Sequence, residues 1–206
     1  MFELEFKSAL AATGLHENLI DSNWKEVRKA YQSSSRHYHN LSHLDQLVAE
    51  LQSVKDEIQD WTTLIFSVAY HDFVYKILRK DNEEKSGERA VKKLLEFKYD
   101  FIKMNKCKSQ ILATKSHGVS NDSDTNYFTD ADLSILGVPS NRYALYTLQI
   151  RKEYRYYPDL LYNPGRVKVL RHFLDMAAIF KTQHFTKRYE EQARINIEWE
   201  IGQLQS

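Results

Sequence analysis

Apolar residues recur along this chain at three- and four-residue steps. Leu41, Leu44, Leu47, Val48, Leu51 and Val54 share one helical face, and Trp61, Leu64, Ile65, Val68 and Ala69 repeat the pattern. Ala90, Val91, Leu94 and Leu95 mark another helix after the polar stretch 79–85. Three more stripes follow: Tyr143, Tyr146, Ile150 and Tyr154; Val167, Leu170, Phe173, Leu174, Ala177 and Ala178; and Tyr189, Ala193, Ile197 and Glu200. Gly137 and Pro139 end one helix, with Ser140 as N-cap of the next; Asn163 and Pro164 are expected as N-cap and first helical position of another. Six glycines and three prolines are too few for strands joined by tight turns. The pattern predicts an all-α fold. No repeat or linker divides it, so one domain over 1–206 is expected, with a core at about 24–182 and a C-terminal helix at about 186–204.

Composition narrows the function without naming it. A chain of 206 residues, 42% hydrophobic and 28% charged, can bury a core without staples. The net charge of +1 exerts no bulk pull on a nucleic-acid polymer or an anionic membrane, so a charged ligand must be met by a local cluster. Cys107 is the one cysteine, which suits a reducing cytoplasm. Glu3, Glu5 and Lys7 interrupt the N-terminus where a signal peptide needs an apolar run, and the apolar segment 61–70 is far too short to span a bilayer. A cytoplasmic protein is expected.

The histidines are clustered. His37, His39 and His43 lie within seven residues, and His71 is followed at once by Asp72. If helical, His39 and His43 share a face, and His43 stands beside the stripe of Leu47. Asp72, four residues after Val68, falls on the inward side, where an acid is costly unless paired or bound to a cation. Asp130 and Asp132 again set carboxylates among apolar neighbours. Imidazole with carboxylate suits a divalent cation such as Mn, Mg, Fe, Co, Ni or Zn, and such an ion suits hydrolysis of a phosphate ester. Hydrogen-bonded core residues are the alternative for each of these positions taken singly.

The order His43, His71-Asp72, Asp132 resembles the HD-domain superfamily of metal-dependent phosphohydrolases. More closely, RHYHNLSHL (36–44), AYHDFVY (69–75), DNEEKSGERA (81–90), TKSH (114–117), FTDADLSILG (128–137), IRKEY (150–154) and NPGRVKVLRHFL (163–174) are similar, in the same order, to a bacterial family of predicted HD phosphohydrolases. The resemblance implies a helical bundle with an ion held between helices by His43, His71, Asp72 and Asp132. It favours Asp132 over Asp130 because the family's ligand follows a small residue, here Ala131; Asp130 is then an N-cap candidate. The segment Tyr38-His39-Asn40-Leu41-Ser42-His43 also resembles the Tyr-His-Asn-x-x-His signature of cyclic nucleotide phosphodiesterases, which casts His39 as general acid. The chain departs from those enzymes at Tyr75, where they carry a third histidine.

Further candidates are Glu83, which the resemblance offers for water activation, and Arg36, His117, Arg151 and Arg166 for contact with substrate phosphate. Ion pairing and helix capping are the plainer roles for each. The expected activity is hydrolysis of a small phosphorylated metabolite, nucleotides foremost. A non-catalytic metal- or nucleotide-binding module and a di-iron oxygenase on the same fold are the alternatives; the latter needs extra histidines, of which His117 is the chief one on offer. The tyrosines between 143 and 162 fit a core stripe better than a platform for bases.

Overall fold

The two apolar stripes at 41–54 and 61–69 become helices almost where the spacing puts them. In the computed structural model, which describes all 206 residues, α3 covers Leu41–Gln52 and α4 covers Trp61–Tyr70, with a short 3-10 turn at Lys55–Glu57 between them. Around these lie α1 (Phe2–Ala11), α2 (Glu17–Tyr31), α5 (Asn82–Glu96), α6 (Phe101–Ala113) and α7 (Ser123–Leu133). A second 3-10 turn at Ser134–Gly137 leads to α8 (Ser140–Glu153), α9 (Asp159–Leu174) and α10 (Gln183–Gln205). The protein is all-helical, with no strand. None of its helices is long and apolar enough to cross a membrane.

Contacts gather the chain into two compact units, residues 1–131 and 132–206. The division falls inside α7, not at a linker, so Asp132 belongs to the same continuous helix as residues 123–131.

In the first unit α4 is the axis. Every residue from Thr63 to Tyr70 is buried, because α1, α3, α5 and α6 all pack on it. A helix covered on all sides needs its polar groups answered internally. The Ser67 hydroxyl donates to Gln110 Oε1 at 2.6 Å, and the Thr63 hydroxyl is shared with Asp60 and Tyr99 at 2.8 Å each. Phe6, Phe66, Tyr70 and Tyr99 pack their rings around it.

In the second unit α10 packs on α8, α9 and the turn at Ser134–Gly137. Asn196 Nδ2 donates to the carbonyls of Leu136 and Val138, both at 2.8 Å. Gly137 permits this approach: a Cβ there would meet Tyr189 Cβ at 2.5 Å and the Tyr189 carbonyl oxygen at 2.6 Å. Arg166 and Glu200 form a buried ion pair with Nε–Oε1 at 2.8 Å and Nη2–Oε2 at 3.0 Å, and the Tyr143 hydroxyl donates to the same carboxylate.

Three boundaries differ from expectation. Ser140 is the first residue of α8 and Pro139 precedes it as the cap position. Helix α9 starts at Asp159 behind Pro158, so Pro164 lies within the helix instead of opening it. The cost there is one lost N–H, which would have served the carbonyl of Leu160, a residue 85% exposed in the first turn of the helix. Asp130 is not an N-cap: it sits inside α7, fully buried.

Candidate metal centre

Three separate helices deliver the central side chains. Asn40 caps α3, its side-chain oxygen accepting from Ser42 N–H at 2.8 Å, and His43 follows in the first turn, buried. Asp60 caps the far end of α4 by accepting from Thr63 N–H at 3.1 Å. At the near end His71 is the C-cap residue and is buried. Asp132, half-buried, is the last but one residue of α7. One nitrogen from each imidazole and one oxygen of Asp132 all lie within 4.8 Å of one another, a grouping able to hold a metal ion. Asp130, the competing acid, is not in it.

The finer geometry suits a cation. His71 Nδ1 lies 3.0 Å from the Val68 carbonyl, which can only accept, so Nδ1 carries the proton. In the neutral ring this leaves Nε2 bare, the tautomer a metal-binding histidine adopts. That Nε2 stands 3.3 Å from His43 Nε2 and 3.3 Å from Asp72 Oδ2. Two ligand atoms each about 2.1 Å from one ion, at ordinary coordination angles, are roughly 3.0–3.4 Å apart. Asp72 thus keeps ligand spacing to His71, although it falls outside the three-residue grouping.

His39 stands next to this group but not on α3. Its residue lies before the Asn40 cap, in a loop, so the expected shared helical face with His43 is replaced by ring packing, with centroids 5.7 Å apart. Its Nε2 is 4.0 Å from Asp72 Oδ2, and the ring lies 4.4 Å from that of Tyr75. With a fifth of the side chain exposed, an incoming molecule can reach it.

Arg36 is brought here too, with three of its N–H groups given to backbone carbonyls: Nη1 to that of His39 at 3.0 Å, and Nη2 to those of Asp72 and Phe73 at 2.7 and 3.1 Å. Tyr31, which no sequence signal singled out, sits under the Arg36 guanidinium, and its hydroxyl accepts from Asp72 N–H at 3.3 Å. As the final residue of α2 it looks like the end of an ordinary core stripe.

The other candidates lie on other elements. Glu83 lies in the first turn of α5 and is not in the metal-ligand grouping. His117 follows α6 in a left-handed conformation, φ 52°, its N–H bonded to the Ala113 carbonyl. Arg151 holds the turn from α8 to α9, donating to the carbonyls of Tyr154 and Tyr157 and to Asp159. Arg166 is spent on Glu200 and the Tyr146 hydroxyl. Burial pulls its pKa down, but Tyr146 and the Glu200 carboxylate outweigh that and hold it well above the usual value. No family model, no curated protein and no solved structure matches this chain.

Proposed function

We propose that this chain is an HD-type metal-dependent phosphohydrolase acting on a small phosphorylated metabolite, nucleotides foremost. One observation carries the proposal: His43, His71 and Asp132, remote in sequence, present their donor atoms to a common point. Asp72 supplies a second carboxylate beside them. A divalent cation bound there supplies positive charge to a phosphoryl oxygen and lowers the pKa of a nearby water. The Val68 carbonyl behind His71 holds that ring with Nε2 turned towards His43 and Asp72. His39 stands at the accessible edge, where an imidazole can give a proton to the leaving oxygen.

The test is purified protein loaded separately with Mn²⁺, Mg²⁺, Fe²⁺, Co²⁺, Ni²⁺ or Zn²⁺ and assayed on a panel of nucleotides and phosphosugars. Turnover with at least one ion, lost in Asp72→Ala, is the expected result. Silence across the panel, or an Asp72→Ala variant as active as the parent, rejects the proposal.

A further inference from the structure

We infer that Arg36 is a positioning residue that fastens the His39 loop to the Asp72 turn, so that its influence on the reaction passes through His39. The inference rests on the hydrolase proposal for its kinetic part and on geometry alone for the clamp.

His39 precedes the α3 cap, so the helical ladder does not hold its carbonyl; Arg36 Nη1 does, at 3.0 Å. Asp72 and Phe73 lie just past the C-cap of α4, where the last carbonyls have no helical donor. Nη2 serves both. The guanidinium charge also faces the negative end of α4, a favourable placement for a cation. The guanidinium also packs on the rings of Tyr31 at 4.7 Å and Tyr75 at 5.1 Å, and Tyr75 lies in turn against His39. The group is buried, and no carboxylate pairs with it. An arginine that receives phosphate offers a free edge of its fork to two oxygens. Here that edge is given to the protein's own backbone, joining the two segments that carry the proposed acid and a proposed ligand. Lysine has one compact ammonium on a flexible stem and cannot span these carbonyls in a fixed plane.

Two measurements test this. Amide hydrogen exchange of metal-loaded Arg36→Ala is expected to run at least about tenfold faster in peptides covering 38–41 and 71–75, with α10 unchanged, since the clamp's loss frees segments whose own local bonds are few. Equal exchange in the two proteins overturns the clamp. The second is a double-mutant cycle of Arg36→Ala with His39→Ala. Arg36→Ala alone is expected to lower kcat about a hundredfold, the scale of a misplaced catalytic group, with KM within about threefold. In the His39→Ala background the same change is expected to cost less than about twofold. An equal loss in both backgrounds, or a raised KM at unchanged kcat, overturns the inference; the latter makes Arg36 a phosphate contact. Arg36→Lys, which keeps the charge, stands in if Arg36→Ala does not fold and is expected to share its exchange and kinetic defects. If the parent turns over nothing on the panel, the hydrolase proposal fails, while the exchange result still decides the clamp.

Discussion

Around Arg166 the chain supplies both signs of charge, whereas His43, His71 and Asp132 bring two imidazoles and a carboxylate to a common point. In the first cluster a guanidinium meets a carboxylate through two bonds, and Tyr143 and Tyr146 complete the shell. Such a set is closed: it is satisfied by what the sequence contains, and its product is a docked α9 and α10. In the second, two imidazole nitrogens only 3.3 Å apart face inward with a carboxylate near both. That set has the donor types and spacing to hold a cation. Buried polar groups alone therefore do not single out a candidate site; the sign balance within the group separates these two.

The largest expected effect separates the two clusters by activity. Asp132→Ala is expected to lower turnover at least about 10⁴-fold, some 5 kcal/mol of barrier, and to abolish bound metal by elemental analysis. The same variant should lose the metal-dependent rise in stability, about 2.7 kcal/mol in the parent at a hundred times Kd. Next comes the closed cluster. Glu200→Ala strands a buried guanidinium and is expected to cost about 3–5 kcal/mol in denaturant unfolding, with metal binding retained. A Glu200 variant as stable as the parent, or one that loses its metal, would break the contrast. The smallest effect concerns Asp60, which anchors the helix whose other end bears His71. Burial raises the Asp60 pKa, but Thr63, through its N–H and hydroxyl, and Lys103 lower it further, so the folded value lies below the ordinary one. Its contribution is therefore full above the unfolded pKa, about 3.9, and fades as pH falls through the folded value. Urea unfolding between pH 5 and 2 should show that decline, and Asp60→Asn should flatten it.

Much of the fold was legible because long stripes leave little choice: a run such as Leu44, Leu47, Val48 and Leu51 has one burial face only as a helix. What periodicity could not convey was that α4 is covered all round. Thr63 and Ser67 are polar breaks in that apolar run, yet they are buried and bonded to Tyr99 and Gln110, partners distant in sequence. The helix starts were the weak point. Asn163-Pro164 has the chemistry of an opening, but Pro158 and Asp159 supply it five residues earlier. The site divides the same way. His43 and His71 stood out by residue type and neighbours, Asp132 was separated from Asp130 only by the family resemblance, and the three converge. The arginines did not, because a guanidinium's role depends on what its hydrogens meet. Arg36, Arg151 and Arg166 meet backbone carbonyls, a turn and a glutamate, none of which the sequence places beside them.

The crowding at residue 137 has its own consequence. With the Tyr189 backbone occupying the space where a first side-chain carbon belongs, the alphabet at that position shrinks to one letter. Even alanine would have to lever the Ser134–Gly137 turn off α10, pulling the Leu136 and Val138 carbonyls away from Asn196. A library randomised at residue 137 should return glycine alone among well-folded clones, a wedge effect that no change in hydrophobicity could offset.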